Sequence, residues 1–340
     1  MERFHVINVR NGISMQITKL NVYTFDSPFK TPIKTNLISM NIRKVLVIGA
    51  EIDGVEYFAE ANSFETPWYH HETIDSVHRS VVQMFKNMKG KSFDSMDAFA
   101  SFLDPNQPNA SACLDVIAYQ YFNALQPVSI PIGQTLHHNV NQHNASAARI
   151  KIKMHDNILA QVEAIRQSSD VPIVIDANGL LNAAHFDLLH ALSQFNILYF
   201  EEPFKDIQDY AMMHQRFPNV RLAIDESATD EHTIKQYYDA GVTTAVIKYS
   251  RVGGITKAKA LQSRLSHMQF VSGGMYEFGL SKYFTAMLGE EFQTVPDVTP
   301  KGTYFDDDFT QYQEVQQENL LHISVPKVNR AQLQFVATYN

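Results

Sequence analysis

The sequence between Arg149 and Lys248 contains five short apolar segments that each end in a charged residue. Each segment has five residues and is rich in β-branched side chains, which is too short for a helix and typical of a buried parallel strand. Each is followed by a stretch long enough for a crossover helix, so the pattern predicts an α/β fold. The segments read Arg149-Ile-Lys-Ile-Lys153, Pro172-Ile-Val-Ile-Asp176, Ile197-Leu-Tyr-Phe-Glu201, Arg221-Leu-Ala-Ile-Asp225 and Thr244-Ala-Val-Ile-Lys248.

The same alternation continues on both sides of this stretch. A first barrel strand is predicted over 128–133, and later strands over 269–272 and near 294–297. Seven or eight strand–helix units in roughly 170 residues favour a barrel over an open doubly wound sheet. The helices are predicted over 110–125, 156–168, 182–194, 206–216, 230–240, 254–266 and 278–288.

The N-terminal third has a different pattern, which predicts a small α+β domain over residues 1–105. Strands are expected from Met15 and on both sides of the turn at 51–54, followed by helices over 73–88 and 95–103. Residues 1–14 are non-periodic and are predicted to be either a disordered extension or a misjudged start. The break at Pro105-Asn-Gln-Pro108 separates this domain from the barrel, 106–319. The tail, 320–340, alternates Leu321, Ile323 and Val325 and is predicted to return to the small domain.

Composition and net charge limit the classes of molecule that the protein is expected to bind. The formal net charge of −8 disfavours nucleic acid and anionic membranes, both of which reward a positive surface. It still allows a small anionic carboxylate substrate, because a site can be locally positive. Cys113 is the only cysteine, which fits a reducing compartment, and no apolar run approaches the roughly 20 residues of a membrane span. A cytoplasmic protein is expected, and a homo-oligomer is left open.

Three carboxylates end consecutive predicted strands. Asp176, Glu201 and Asp225 lie 25 and 24 residues apart, about one strand–helix unit. Because the carboxyl ends of barrel strands face one mouth, and neighbouring strands are about 4.8 Å apart, the three can surround one cation. All-oxygen ligation favours Mg²⁺, with Mn²⁺ as a substitute, over zinc. The alternative is a helix N-cap at each position, which fits Asp225 better than Glu201.

Lysines flank these carboxylates. Lys151 and Lys153 alternate with isoleucines and share one face of their strand, while Lys248 ends a strand across the mouth. A partly desolvated lysine near other cations has a lowered pKa and can act as a base. Ordinary surface lysines are the alternative, although those rarely end apolar strands. Two lysines across a bound metal suit proton abstraction beside a carboxylate, because metal and cations neutralise the resulting enediolate.

Together these motifs resemble the muconate-lactonizing-enzyme subgroup of the enolase superfamily. The resemblance covers nearly the whole chain and implies a (β/α)7β modified TIM barrel with an N-terminal α+β capping domain, and Mg²⁺ as cofactor. Other motifs resemble the group that contains o-succinylbenzoate synthases and N-succinylamino acid racemases. The first set is Lys151-Ile-Lys153, Asp176-Ala-Asn178, Glu201-Glu-Pro203, Asp225-Glu-Ser227 and Lys248; the second is Ser27-Pro-Phe-Lys30, Glu60-Ala-Asn-Ser63, Trp68-Tyr-His70, Glu202-Pro-Phe-Lys205, Arg251-Val-Gly-Gly254 and Ser272-Gly-Gly-Met-Tyr-Glu277.

The resemblance implies dehydration of 2-succinyl-6-hydroxy-2,4-cyclohexadiene-1-carboxylate to o-succinylbenzoate, a step of menaquinone synthesis. Lys153 would take the proton and help the hydroxyl leave, Lys248 would stay protonated beside the enediolate, and Lys151 would orient Lys153 or the carboxylate. An N-succinylamino acid racemase or a dipeptide epimerase would use the same two lysines. A catalytically inactive barrel is the third alternative, and the retained lysines and carboxylates argue against it.

Further positions are expected to support the site or contact the substrate. Asn178 would hold Asp176 in place, or simply cap its loop. Gly273 and Gly274, with Met275, would let a succinyl chain approach backbone N–H groups, and a plain turn is the alternative. The resemblance also implies that Phe29 and Thr135 face the substrate.

Overall fold

The computed structural model describes residues 14–35, 37–136 and 144–340. The predicted extension, 1–14, lies outside these residues except for Ser14. The described part combines an antiparallel sheet and its helices with a curled parallel sheet. No helix within it has both the length and the apolar character that a membrane crossing requires.

The N-terminal part consists of three antiparallel strands followed by three helices. β1 pairs with β2 and β2 with β3 through the turn at Asp53 and Gly54, where both residues have positive φ, 54° and 77°. This conformation is easy for glycine and tolerated by aspartate. β1 runs beyond the predicted strand, with an irregular register between Pro28 and Ile33. The elements are β1 (Ile17–Lys34), β2 (Ser39–Ile52), β3 (Val55–Ala61), α1 (Ile74–Met88), α2 (Met96–Ala100) and α3 (Pro108–Phe122).

The barrel contains seven parallel strands that neighbour one another in sequence order. The segment 294–297 fills the seam between the last and first of them, because Asp297 N–H donates to Ser272 O at 2.8 Å and Val295 lies against Gly133. The predicted (β/α)7β barrel with an N-terminal α+β domain is confirmed. After β4 (Val128–Pro131), the barrel strands are β5 (Gly133–Leu136), β6 (Arg149–Lys153), β7 (Ile173–Asp176), β8 (Ile197–Glu201), β9 (Leu222–Ile224), β10 (Thr244–Ile247) and β11 (Gln269–Ser272).

The helices of the barrel lie where the sequence predicts them, with ends that differ by a few residues. A short helix, α8, follows β10 directly and was not predicted. A single 3₁₀ turn precedes α5. The helices are α4 (Ile158–Arg166), α5 (Phe186–Leu192), α6 (Ile207–Arg216), α7 (Glu231–Asp239), α8 (Tyr249–Val252), α9 (Ile255–Arg264) and α10 (Gly279–Phe292).

The predicted first barrel strand, 128–133, is wrong in its extent. β4 pairs with an antiparallel strand from the tail, and the barrel strand begins only at Gly133. Pro131 has no N–H to continue a ladder, and Ile132 N–H turns to Asn319 O at 3.2 Å. The strands after α10 are β12 (Thr310–Gln311), β13 (Glu314–Gln317), β14 (Leu320–Ile323), β15 (Lys327–Val328) and β16 (Gln334–Tyr339), of which the last three lie in the tail.

The tail divides between the two parts of the molecule. β14, which carries the alternating Leu321 and Ile323, pairs with β4 beside the barrel. Only β16 reaches the N-terminal sheet, where it pairs with β1. The alternation therefore marks a strand correctly but does not reveal its partner, because both candidate sheets offer an apolar face.

Two buried acidic side chains of the N-terminal part, Glu60 and Glu72, cap helix N-termini, one in the barrel and one in the N-terminal part itself. Glu60 accepts hydrogen bonds from Phe278 N–H (2.8 Å) and Ser281 N–H (2.9 Å) at the start of α10. Glu72 accepts from two N–H groups at the start of α3. Helix N-termini carry unsatisfied donors and partial positive charge, so a carboxylate stabilises them. Glu60 thereby fixes the N-terminal part over the loop that follows β11.

Candidate active site at the barrel mouth

Three carboxylates lie side by side at the carboxyl ends of neighbouring strands. Asp176 and Glu201 end β7 and β8 in register with each other, and Asp225 directly follows β9. Their exposures are 8%, 1% and 7%. Burial of carboxylates in adjacent positions is costly unless positive charge compensates them. Lysines and an arginine supply part of that charge.

The predicted lysines meet this carboxylate row. Lys151 Nζ lies 2.6 Å from Glu201 Oε1, and Lys248 Nζ forms an ion pair with Asp225 Oδ1. Lys153 is in register with Asp176 across β6 and β7. The structure thus brings all six predicted catalytic and metal-binding residues to one mouth.

The lysines differ in their surroundings. Lys153 is exposed, and its Nζ donates to Asn178 Oδ1 at 3.2 Å. Lys248 is only 3% exposed and faces both Asp225 and the Tyr69 ring, whose centre lies 5.9 Å from Nζ. One lysine is therefore held by a neutral amide at the solvent edge, and the other is buried in an ion pair.

The general expectation of a lowered lysine pKa does not hold for Lys248 and Lys151, and the raised pKa of Lys248 agrees with the protonated Lys248 that the resemblance implies. Burial alone would lower the pKa of Lys248, but the charge of Asp225 outweighs it and raises that pKa. Burial likewise opposes the rise at Lys151, whose pKa Asp297 and Glu201 lift well above the ordinary value. Both side chains are ammonium groups. Each lysine contacts a carboxylate, which the sequence pattern does not reveal, and this contact turns the expected lowering of the lysine pKa into a rise.

The donor set fits a divalent cation held by oxygen. Glu201 Oε2 is buried and has no hydrogen-bond partner within the described residues. Burial raises the pKa of Glu201 well above its usual range despite Lys151, and the neighbouring Asp176, Asp297 and Asp225 add to the rise. The ammonium of Lys151 at Oε1 therefore does not fully compensate the negative charge of this carboxylate. A cation at Oε2 would supply the remaining positive charge, and hard oxygen ligands suit Mg²⁺.

A second cluster of ligand-type side chains lies at the edge of the N-terminal part. Across residues 14–35, 37–136 and 144–340, only His70, His71 and Glu72 place three ligand atoms within 4.8 Å of one another. Asp176, Glu201 and Asp225, which are all among the described residues, do not meet this distance. Both oxygens of Glu72 already accept N–H groups of α3. We therefore assign Glu72 to helix capping.

Asn178 joins two of the predicted residues. Its backbone, with φ of 47°, turns so that its N–H donates to Asp176 Oδ1 at 3.2 Å. Its side-chain oxygen accepts from Lys153. Asparagine tolerates this left-handed conformation better than most residues. The residue thus orients one carboxylate through its backbone and one lysine through its side chain.

The loop after β11 carries Gly273, Gly274 and Met275, whose predicted contact with a succinyl chain stays a prediction. Gly273 N–H donates to Ile247 O at 3.0 Å, so the sheet already uses it. A Cβ on Gly273 would lie 2.8 Å from a Val246 methyl group and 3.6 Å from Lys248 Cγ. The missing side chain therefore leaves room for the Val246 side chain, whereas the distance to Lys248 is an ordinary van der Waals contact. Gly274 and Met275 are partly exposed in the same loop.

Phe29 and Thr135 approach the mouth from two sides. Phe29, on β1, is buried and packs edge-on against Tyr276 with ring centres 5.4 Å apart. Thr135 is exposed and is in register with Lys151 across β5 and β6, so the two side chains share a face. Contact with a substrate stays a prediction for both.

Several charged or polar residues of the site escaped the sequence prediction. Arg149 and Asp297 form an ion pair of 2.6 Å behind Lys151. Arg251 donates to Asp225 O (2.6 Å) and Oδ1 (3.0 Å), and also contacts Tyr69 OH. The position of Asp297 at the end of the eighth barrel segment was a usable signal. Tyr69 and Arg251 lie in two motifs of the family resemblance, Trp68-Tyr-His70 and Arg251-Val-Gly-Gly254, which were not assigned to the site.

Comparisons with known proteins agree with this architecture. The family model described as Enolase C-terminal domain-like matches residues 135–285. The chain is 26% identical over 327 residues to the o-succinylbenzoate synthase of Bacillus subtilis (strain 168), covering 86% of this chain and 88% of the relative. That match spans both the N-terminal part and the barrel.

Solved structures show the same fold. The N-succinyl Arg/Lys racemase from Bacillus cereus ATCC 14579 has a TM-score of 0.77 and 18% identity, with 96% of this chain and 99% of the other covered. A magnesium complex of an enolase superfamily member from Roseovarius nubinhibens ISM has a TM-score of 0.79 and 16% identity, covering 96% and 100%. Residues 135–285 thus match the C-terminal domain of the enolase superfamily, a superfamily of enzymes, and the chain as a whole is similar in sequence to an o-succinylbenzoate synthase and in fold to enolase superfamily members.

Proposed function

We propose that the protein is an o-succinylbenzoate synthase, which dehydrates 2-succinyl-6-hydroxy-2,4-cyclohexadiene-1-carboxylate to o-succinylbenzoate in menaquinone synthesis. The similarity to the Bacillus subtilis synthase over most of both chains supports the substrate class. The observation that carries the reaction type is the difference between the lysines. Lys153 is exposed beside a neutral amide, whereas Lys248 is a buried ammonium paired with Asp225. A dehydration needs one group that moves a proton and one fixed cation.

Asp176, Glu201 and Asp225 would hold Mg²⁺, with Mn²⁺ as a substitute. When bound, the metal ion would supply positive charge that stabilises an enediolate formed from the substrate carboxylate. The partnerless Glu201 Oε2 supports this assignment. A small anionic carboxylate substrate fits a mouth that already carries two ammonium groups, on Lys151 and Lys248.

Lys153 would act as general base and then as general acid. As a neutral amine, Nζ takes the proton from the ring carbon that bears the carboxylate. The resulting ammonium returns a proton to the departing hydroxyl, so the C–O bond breaks, water leaves and the ring becomes aromatic. The two transfers balance and return Lys153 to its starting form. An exposed side chain held by a single amide has the freedom that both transfers require.

Lys248 would stabilise the enediolate without exchanging protons. Its burial removes competing water, which strengthens its attraction for developing negative charge. Lys151 would hold Glu201 through the 2.6 Å contact and so orient that metal ligand. Asn178 would orient Lys153.

An N-succinylamino acid racemase is the second candidate, as the sole or an additional activity. The fold of the Bacillus cereus racemase and the presence of lysines at both sides of the mouth favour it. Racemisation by two bases requires Lys248 to become neutral in one direction. The ion pair with Asp225 opposes this, which is why we rank the synthase first. A dipeptide epimerase would need the same exchange of roles.

A cytoplasmic location belongs to the proposal, in keeping with the buried free thiol of Cys113.

The test is an assay of purified protein with Mg²⁺ on the cyclohexadiene substrate and on several N-succinylamino acids. We expect the higher kcat/KM on the cyclohexadiene. A higher kcat/KM on an N-succinylamino acid would reverse the ranking. In parallel, Glu201→Gln should abolish or strongly weaken the dependence of turnover on Mg²⁺, and an unchanged dependence would refute the metal site.

A further inference from the structure

The barrel mouth contains a row of alternating charges that the proposed reaction does not explain. Arg149 Nη2 donates to Asp297 Oδ1 at 2.6 Å, and Lys151 Nζ donates to Asp297 Oδ2 at 2.9 Å. Lys151 Nζ also donates to Glu201 Oε1 at 2.6 Å. Each carboxylate oxygen of Asp297 therefore accepts a hydrogen bond from a different positively charged side chain. The row runs from the barrel interior toward the metal-binding carboxylates.

The fold fixes both ends of this row. Arg149 and Lys151 lie two residues apart on β6, so both side chains point to the same face. Asp297 lies on the segment that closes the barrel, where its N–H donates to Ser272 O. A Cβ on Gly133 would lie 2.9 Å from Arg149 Nη2, so glycine leaves room for the guanidinium at this seam. The carboxylate of Asp297 is therefore anchored through its backbone and through Arg149.

The ion pair is buried enough for its charge balance to matter. The side chains of Arg149 and Asp297 are 3% and 19% exposed, and that of Lys151 is 12% exposed. Arg149 Nε and Nη1 have no hydrogen-bond partner within the described residues, so Asp297 is the neutralising contact for this guanidinium. Two cations on one strand face would repel each other without the carboxylate between them.

We propose that Asp297 is a positioning residue that, anchored by Arg149, holds the Lys151 ammonium against Glu201 Oε1 and so leaves Glu201 Oε2 for the metal ion. Lysine has a long flexible side chain, so one contact with Glu201 does not fix its direction. The second contact, from Asp297, does. This inference rests on the metal site of the proposed function but not on the identity of the substrate.

The experiment compares Mg²⁺ affinity, measured by isothermal titration calorimetry without substrate, in wild type and Asp297→Asn. Asparagine keeps the shape but offers one acceptor and no charge. We expect Mg²⁺ binding to weaken roughly 10- to 100-fold, the usual cost of losing a residue that orients a ligand. At saturating Mg²⁺, kcat should fall while the substrate KM stays near wild type. The matched control is Asp187→Asn, which removes a carboxylate from the exposed pair with Arg216.

A double variant separates positioning from simple charge balance. Arg149→Met with Asp297→Asn removes both charges of the pair, so the melting temperature should recover toward wild type even if the single variant folds poorly. Mg²⁺ affinity should stay weak, because Lys151 still lacks its second contact. Recovery of both quantities in the double variant would overturn the proposal, as would a single variant with wild-type affinity and kcat.

The outcomes also separate this inference from the proposed reaction. If wild type binds Mg²⁺, Glu201→Gln and Asp297→Asn both weaken binding, and no cyclohexadiene is dehydrated, the reaction is wrong and the positioning role stands. If wild type does not bind Mg²⁺, or Glu201→Gln binds it normally, the metal site and this inference both fail.

Discussion

The two sides of the barrel mouth contain the same reactive side chain in opposite environments. The Lys153 side, formed by Lys153 and Asn178, is exposed and held by one hydrogen bond between them of 3.2 Å. The Lys248 side, formed by Lys248, Asp225, Arg251 and Tyr69, is buried and crossed by ion pairs. An exposed amine can exchange protons with substrate and solvent, whereas a buried ammonium paired with a carboxylate resists losing its proton.

This difference shows that the residue type alone does not determine the role of a catalytic lysine. Arg251 increases the asymmetry, because it donates to Asp225 while lying 5.3 Å from the Tyr69 ring. Burial alone would raise the pKa of Asp225, yet Lys248 and Arg251 together lower it. Asp225 therefore stays a carboxylate and keeps Lys248 charged. Proton transfer on one side and a fixed charge on the other is the arrangement that a one-base dehydration requires.

The largest expected effect is at the Lys153 side. Lys153→Ala removes the only group assigned to proton transfer, so kcat for dehydration should fall roughly 10³- to 10⁴-fold, at the upper end of general acid–base contributions. Mg²⁺ affinity and melting temperature should stay near wild type, because Lys153 is exposed. Lys235→Ala, which removes an exposed lysine paired with Asp239, is the control. Turnover of Lys153→Ala within tenfold of wild type would refute the base assignment.

A smaller and more informative effect is expected at the Lys248 side. Lys248→Met removes the charge and should lower kcat roughly 10²- to 10³-fold, as the loss of one oxyanion donor does. Lys248→Arg keeps a cation that cannot act as a base, because arginine stays protonated. We expect it to dehydrate faster than Lys248→Met. The measurement is kcat for both variants, after their melting temperatures show that they fold.

The same pair of variants tests the asymmetry directly. If Lys248 exchanges protons, Lys248→Arg should lose racemisation of N-succinylamino acids as completely as Lys248→Met does. If Lys248→Arg and Lys248→Met dehydrate equally slowly while both fold, Lys248 is more than a fixed cation. That outcome would remove the difference between the two sides on which the ranking of synthase over racemase depends.

The fold was largely predictable because parallel strands buried on both faces leave a local pattern. The five segments from Arg149 to Lys248 are short apolar runs between helical stretches, and each gave a strand close to its predicted place. The closing segment, 294–297, was harder, because it joins the sheet through a single bridge between Gly273 and Asp297. The partner of β14 also depends on long-range packing, which leaves no local trace.

The positions of the charged residues of the site were predictable from the sequence, but their protonation states were not. A charged residue at a strand end predicts the mouth of the barrel, which located Asp176 and Lys248. Whether a lysine there is neutral depends on its contacts, such as the one between Lys248 and Asp225 from another strand. The sequence places Arg149 on the same strand face as Lys151. Its role could not be predicted, because it depends on the ion pair with Asp297, which is 148 residues away.

A further loss, smaller than at either lysine, is expected at Asn178. Asn178→Ala removes the oxygen that accepts from Lys153 but keeps the N–H that donates to Asp176. We expect kcat to fall about tenfold with little change in Mg²⁺ affinity, a cost in the range of lost orienting partners. Weaker Mg²⁺ binding in Asn178→Ala would place its main role at Asp176.

The smallest effect is expected at Tyr69, where the N-terminal part touches the Lys248 side. Tyr69→Phe keeps the ring that faces Lys248 and removes the hydroxyl that accepts from Arg251. The lost hydrogen bond corresponds to about 0.5–1.5 kcal/mol, so kcat/KM should fall roughly two- to tenfold. Tyr238→Phe, at an exposed position, is the control. A loss as large as that of Lys248→Met would mean that Tyr69 contributes to the charge stabilisation itself, and that the Lys248 side is assembled only when the N-terminal part is in place.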